Sequence, residues 1–291
     1  MAIAFRSATE AGTAVAATTQ VINVPAGVVA DDLLLLFIGT ADGDTGSVSP
    51  SGTWQGPIVN NLNTGGAAPS PPGMSVYWRI AASEPASYTI TDTESSGIAG
   101  QMLAFSGVDT TTPIDVTTTT AQGDSTNADP PSIDYLDAGA AIVVAAFWDS
   151  AGGDYTAVPS GYTSPDTLGD IVGNGGGNGL SLATAYDLTP AADPENPPAF
   201  TSSTEQWGAV TVALRPAVAY TTEQDSFRFY DDGTESGSTA LEAQNIDLSI
   251  ARETTFHVRV GGQMTGDAPA ISAELQYKET ADAASEWRKV P

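Results

Sequence analysis

The sequence predicts an all-β protein: a large antiparallel, jelly-roll-like β-sandwich with pseudo-duplicated halves in residues 1–218, then a small Ig-like β-sandwich in residues 222–291. Thr, Ser, Val, Gly and Pro are abundant and runs of strong helix formers are scarce, which favours strands joined by many turns. Short apolar stretches recur between clusters of turn residues. Because 41% of the 291 residues are apolar, the chain can form a core.

The predicted strands of the first region are separated by turn signals. Residues 33–39 form an uninterrupted apolar run, which predicts a buried strand. Residues 25–27 and 41–44 predict the turns on either side of it. Two stretches rich in Gly and Pro, residues 63–73 and 173–179, predict long exposed loops. The other predicted strands are residues 19–24, 75–80, 88–91 and 100–106.

An internal repeat predicts two similar halves, because one set of strands and turns recurs roughly 110 residues further along the chain. The repeated segments are 33–38 with 141–148, 43–44 with 153–154, 50–52 with 159–161, 74–76 with 180–182, and 100–105 with 209–214. The halves form either two stacked sheets of one sandwich or two sequential small sandwiches. We favour the stacked sheets, because neither half alone carries a full set of strands.

The C-terminal stretch differs in spacing and in charge. Residues 255–260 alternate in polarity, so that His257 and Arg259 face away from the apolar side of a strand. Residues 1–219 carry 22 acidic and three basic side chains, whereas residues 222–291 carry 13 and six. This shift, with about 70 residues of closely spaced strands, predicts a separate Ig-like domain. Its predicted strands are 226–230, 245–250, 254–260 and 273–277, with turns at 231–233 and 261–262.

The charge balance limits the partners. Thirty-five acidic residues against nine basic ones give a formal net charge of −26, the opposite of what a nucleic-acid-binding protein needs. At molar salt the screening length falls to about 3 Å and most of the self-repulsion disappears. Acidic, Lys-poor usage therefore indicates a protein of a halophile, a haloarchaeon or one of its viruses. The alternative is an acidic surface protein of a mesophile.

Cysteine is absent, which excludes disulfides and thiolate chemistry. The first residues lack the basic and apolar regions of a signal peptide. The most apolar run, residues 33–38, is too short for a bilayer that requires about 20 residues. We therefore expect a soluble protein without membrane insertion.

No motif for catalysis stands out. There is no Gly-x-Ser-x-Gly elbow, and the single histidine, His257, is interpreted as a polar residue of an exposed or edge strand. A hydrolase with two carboxylates stays an alternative, but no pair is singled out by its spacing. The five tryptophans are dispersed, at positions 54, 78, 148, 207 and 287, and Trp78 and Trp148 are interpreted as core residues of strands.

Two turns contain carboxylates that could face a cation. Asp42 and Asp44 flank a glycine, and Asp231 and Asp232 precede one, as in oxygen-ligand sites for calcium. Neither completes an EF-hand pattern, and Asp-Gly is a common turn dipeptide, so we favour ordinary turns. Residues 173–179 lack the Lys-Ser/Thr of a phosphate-binding loop. We predict no catalytic residue, no cofactor and no metal site.

Several segments resemble known modules of structural proteins. In residues 1–218 they are Pro25-Ala26-Gly27, Asp32-Leu33-Leu34-Leu35, Val76-Tyr77-Trp78-Arg79, Glu84-Pro85-Ala86-Ser87-Tyr88-Thr89, Ala104-Phe105-Ser106-Gly107-Val108-Asp109 and Thr112-Pro113-Ile114-Asp115. This pattern resembles a β-sandwich module that recurs in structural proteins of tailed viruses and in some microbial surface proteins. The C-terminal segments 227–235, 275–278 and 287–290 resemble an Ig-like module found with it. Neither motif is catalytic in those families.

With the acidic composition, the resemblance implies a structural protein of a tailed virus of a halophilic archaeon. We expect a capsid decoration or turret protein on the head, or alternatively a tail or baseplate component, a carbohydrate-binding or host-adhesion module, or a polysaccharide hydrolase. Expected partners are copies of the chain, as a trimer or pentamer, the major capsid protein and host surface glycans. The nearly uncharged segment 3–19 is the predicted part of the contact between copies.

Overall fold

The computed structural model describes residues 2–13, 15–41, 47–64, 71–149, 155–165, 173–174, 179–202, 204–217, 221–230, 240, 243, 257–265, 276–277 and 288–289. The chain divides into two compact units, Met1–Ala217 and Val218–Pro291. All secondary-structure elements found among the described residues are β-strands, which confirms the predicted all-β class. No helix in the described part of the chain has the length and hydrophobicity that a membrane crossing requires.

The first unit is built from antiparallel sheets. Its strands are β1 (Ala4–Gly12), β2 (Ala17–Asn23), β3 (Leu33–Thr40), β4 (Val48–Pro50), β5 (Gln55–Asn63), β6 (Gly73–Ile80), β7 (Ser87–Ser96), β8 (Ile98–Ser106), β9 (Thr119–Ser125), β10 (Ala141–Asp149), β11 (Tyr155–Ala157), β12 (Gly173–Asn174), β13 (Gly179–Asp187), β14 (Thr201–Ser202) and β15 (Glu205–Leu214). The first five-stranded sheet has the order β1-β8-β3-β6-β5, and the second has the order β12-β13-β10-β15-β9. Smaller sheets are β2-β7-β4 and β11-β14.

The two five-stranded sheets share one apolar core. Side chains alternate between the faces of a strand, so Leu35 and Phe37 of β3 belong to the same core cluster as Val143 and Phe147 of β10. These side chains are fully buried. Of the two arrangements considered for the repeated halves, the described residues therefore form stacked sheets of one sandwich.

Each five-stranded sheet is also covered on its outer face. Leu36 of β3 packs in a cluster with Ile22 of β2 and Ile90 of β7, so the three-stranded sheet covers the first five-stranded sheet. Beyond the second sheet, Trp148 of β10 meets Phe200 edge to face, with ring centroids 5.9 Å apart. Because both of their faces are buried, the central strands have continuous apolar sequences instead of polar–apolar alternation.

The strands of the internal repeat occupy equivalent places in the two sheets. β3 lies between β8 and β6, and β10 lies between the matching strands β15 and β13. The registers agree as well, since Leu33 pairs with Phe105 and Ala141 pairs with Leu214. In addition, β12 packs against β8 and β5 packs against β15, as a two-fold relation between the sheets would require. The duplication itself and the jelly-roll description stay predictions.

Several sequence-based expectations were wrong in detail. Residues 63–73 are not one exposed loop, because Asn63 ends β5 and residues 71–73 are buried where β6 begins. Residues 173–179 are not all loop either, because they contain β12 and the first residue of β13. Strands β1, β5 and β9 were not predicted, and residues 65–70 and 175–178 lie outside the described residues.

The second unit contains β16 (Thr221–Tyr230), β17 (His257–Thr265), β18 (Gln276–Tyr277) and β19 (Arg288–Lys289) among the described residues. β16 pairs antiparallel with β17, and β18 with β19. The turn predicted at residues 261–262 is wrong: these glycines continue β17, opposite an irregularity between Gln224 and Ser226. The predicted strand 245–250 lies outside the described residues, and the Ig-like architecture stays a prediction.

Candidate binding cleft

The residues that sequence analysis considered for chemistry do not meet in one site. His257 is the first residue of β17, where its backbone pairs with Tyr230. Asp42, Asp44, Asp231 and Asp232 lie outside the described residues. In the part of the chain that the structure describes, no three carboxylate or imidazole side chains are grouped as a metal site would require.

The tryptophans separate into two environments. Trp148 is fully buried and Trp207 is nearly so, which confirms Trp148 as a core residue. Trp78 was predicted to be a core residue. Its side chain packs against the shared core but is only half-buried, and it lies at the edge of an open cleft. Trp54 is half-buried beside Tyr88, with ring centroids 5.2 Å apart. Trp287 lies outside the described residues.

All three arginines of the first unit form ion pairs. Their positive charges are therefore matched locally, whereas most of the 22 acidic residues of this region have no arginine to pair with. Such a surface is unsuited to a nucleic-acid backbone, whose phosphates require cationic side chains. The pairs are Arg6 with Asp32 at 2.6 Å, Arg79 with Glu84 at 3.1 Å, and Arg215 with Asp115 at 3.1 Å and with Asp137 at 2.9 Å.

Asp115 is the centre of a buried polar network. Its side chain accepts hydrogen bonds from the backbone amides of Leu136 and Asp137, at 2.6 and 3.2 Å, and from Nε of Arg215. Burial by itself would raise the pKa of Asp115, but these hydrogen bonds outweigh burial and hold it below its ordinary value. The hydrogen bond to Asp115 raises the pKa of Asp137. Because the Asp115 oxygens are already engaged inside the fold, we interpret this carboxylate pair as structural.

We expect Asp115→Asn to destabilise the first unit by about 2–4 kcal/mol at neutral pH, because it removes a buried charge that faces Arg215 and several N–H donors. Since the pKa of Asp115 is lowered by folding, its contribution is present above about pH 4 and is lost as the pH falls through the folded-state pKa. Urea unfolding from pH 3 to 7 measures both effects. The matched change Asp137→Asn, at a side chain 45% exposed, should cost under about 1 kcal/mol. Equal losses in the two variants would contradict this assignment.

An open cleft of about 540 Å³ lies where β6 ends. At this point Gln55 of β5 pairs with Trp78. Besides Arg79, the lining residues carry an indole, an aliphatic side chain, an amide and three hydroxyls, and none of the lining residues is acidic. The lining residues are Thr53, Gln55, Trp78, Arg79, Ile80, Thr110 and Thr111.

The side chain of Arg79 lies on the opposite face of β6 from Trp78 and is held there by three neighbours. The guanidinium carbon of Arg79 lies 5.3 Å from the ring centre of Tyr88 and 5.8 Å from that of Trp54. Glu84 pairs with Arg79 and also accepts a hydrogen bond from the Tyr88 hydroxyl. Burial, and then this hydrogen bond to Glu84, raise the pKa of Tyr88. The cluster therefore keeps the tyrosine protonated and the arginine fixed.

The opposite wall of the cleft is fixed by the chain after β8. Oδ1 of Asp109 accepts hydrogen bonds from the amides of Thr111 and Thr112, both at 2.8 Å. The amide of Asp109 donates to the carbonyl of Arg215 at 2.9 Å. This wall is thus tied to the end of β15. The cleft is pre-formed, with groups suited to hydrogen bonding and apolar contact.

The described residues define a layered, antiparallel all-β protein with an open polar–aromatic cleft beside Trp78. No protein-family model matches the chain, and no curated protein sequence matches it significantly. The chain is similar to the crystal structure of the STIV MCP, with 11% identity over 74% of this chain and 96% of that chain and a TM-score of 0.22. A TM-score this low does not establish a shared fold, so this similarity carries no argument about function.

Proposed function

We propose that this chain is a non-enzymatic structural protein of a virion, displayed on the head of a tailed virus of a halophilic archaeon as a capsid decoration or turret protein. The observation that carries the proposal is the layered first unit, whose two five-stranded sheets are each buried on both faces. Such a unit supplies a rigid scaffold with several strand edges. The acidic composition adds the halophilic setting, and the resemblance of the sequence motifs to virion modules adds the viral one.

Peptide mapping of gradient-purified particles tests this proposal. Peptides from both units should be present in a fixed ratio to the major capsid protein across the particle fractions. Presence only in the soluble fraction of infected cells, with none in particles, would overturn it. Peptides that follow tail fragments after heads and tails are separated would instead support a tail or baseplate component.

The proposed contact between copies lies on β1 and β2. Segment 3–19 has one acidic residue, Glu10, and one arginine, Arg6, which is already paired with Asp32. Val15 lies in this segment and is 68% exposed. Val21 lies just beyond it and is 52% exposed, although both side chains are apolar. Because β2 is an edge strand of its sheet, it offers both apolar side chains and a strand edge to a second copy. A nearly uncharged face suits a symmetric interface, because it brings few carboxylates of the two copies together.

We expect the protein to be a trimer or pentamer in about 3 M salt, where charge repulsion is screened. The double change Val15→Gln with Val21→Gln should shift the equilibrium at least tenfold toward monomer, because it removes apolar side chains from the contact. Leu136→Gln is the matched control, since Leu136 is 73% exposed outside this segment and should leave the mass unchanged. Light scattering of the three proteins measures the mass. A monomeric unmodified protein would contradict the contact.

A further inference from the structure

We propose that the cleft beside Trp78 binds a neutral saccharide. This inference goes beyond the structural role and does not depend on it, since the cleft is formed within the first unit. Its volume of about 540 Å³ falls in the range of roughly 300–1,000 Å³ that small-molecule sites occupy. Such sites combine an apolar surface with a few placed polar groups, as this cleft does.

The lining fits the two kinds of surface that a sugar ring presents. The C–H groups of a pyranose carry a small positive charge and pack on the negative face of an aromatic ring, here the exposed part of Trp78, beside Ile80. Hydroxyl groups need partners that both donate and accept hydrogen bonds. The side chains of Gln55, Thr53 and Thr111 are exposed at the cleft and do both.

Arg79 adds no charged group to the surface that a ligand would meet. Neighbouring side chains of a strand point to opposite faces, so the Arg79 side chain lies on the other face of β6 from Trp78, where its guanidinium stacks on Trp54 and Tyr88. Its Nε is buried there, and another guanidinium nitrogen pairs with Glu84. The groups offered to a ligand are therefore the indole, the amide and the hydroxyls.

The charges favour a neutral sugar over an acidic one. The positive charge of Arg79 is already matched by Glu84, so a ligand carboxylate or sulfate would find no uncompensated cation in the cleft. The surrounding region carries 22 acidic against three basic residues, and all three basic residues are already paired, so no cation is left to attract a ligand anion. A neutral ligand needs no such partner. Hydrogen bonds and apolar contacts also persist at high salt, where attraction between charges is screened.

A glycan array followed by calorimetry tests the proposal on the full chain in about 3 M salt. The array should carry neutral gluco-, galacto- and manno-oligosaccharides, and uronic acid and sulfated oligosaccharides. We expect retention of neutral glycans, with Kd values of about 1 mM or lower. Retention of no neutral glycan, or stronger retention of the acidic ones, would overturn the proposal.

Matched variants connect binding to this cleft. Gln55→Ala combined with Thr111→Ala should weaken neutral-glycan binding at least tenfold, because it removes two hydrogen-bonding side chains from the cleft. Both side chains are exposed, so the core stays unchanged. Gln122→Ala combined with Thr117→Ala makes the same chemical changes at exposed side chains, away from the lining residues and from β1 and β2, and should leave the Kd unchanged. Melting curves confirm that both proteins are folded. Equal Kd values for the two double variants would overturn the assignment of the cleft.

Discussion

Replacing Gly107 with alanine should destabilise the first unit by about 3 kcal/mol or more, because the new methyl group has no room. Gly107 has a φ of +74°, and a Cβ built there lies 2.3 Å from the carbonyl oxygen of Ala2. This obstacle is backbone, so it cannot rotate away as a side chain would. Relief requires the chain before β1 to move, which disturbs the pairing of Ala4 with Ser106.

Gly27 provides the matched control for this change. It has the same φ of +74°, but a Cβ there meets nothing within 4 Å. Gly27→Ala therefore has only the left-handed backbone cost of about 1–2 kcal/mol. Urea unfolding followed by tryptophan fluorescence gives both free energies of unfolding. Equal losses would show that the close approach of Gly107 to Ala2 does not limit the fold.

Raising the salt concentration from about 0.1 to 3 M should increase Tm by roughly 10 °C or more, because the screening length falls from about 10 Å to below 3 Å. The reason is the net charge of −26, with the three arginines of the first unit already paired. The repulsion between the remaining carboxylates destabilises the compact state at low salt.

The measurement is a series of melting curves in KCl, repeated with sucrose at matched water activity. Sucrose strengthens burial without screening charge, so it separates the two effects. We expect most of the increase in KCl alone. A flat or falling Tm with salt would remove the halophilic interpretation and leave an ordinary acidic protein.

The sequence predicted the strands that are buried on both faces and missed those at the edges of the two five-stranded sheets. The apolar runs of β3 and β10 have no polar interruption, so their burial follows from composition alone. β1 and β9 are half-exposed and rich in Thr, Ser and Ala, so neither period nor hydrophobicity marks them. β5 contains Pro57 and irregular pairing, which weaken the strand signal further.

The candidate cleft could not be predicted in the same way. It joins Thr53 and Gln55, residues 78–80, and Thr110 and Thr111, which only the sheet order and the chain after β8 bring together. Trp78 was interpreted as a core residue because it lies in an apolar strand pattern. Half of that interpretation is correct: β5 pairs with β6 only as far as Gln55 and Trp78, so this end of β6 stays open. The partial exposure of Trp78 is a consequence of that strand end.

Immunogold electron microscopy of intact purified particles tests the central proposal, a structural protein displayed on the virion head, most directly. Antibodies raised against the folded chain in high salt should label head surfaces at many positions per particle, because decoration proteins follow the symmetry of the capsid. Particles lacking the gene serve as the control for non-specific label. Intact heads without label, while the same antibody detects the free protein in cell extracts, would contradict the account.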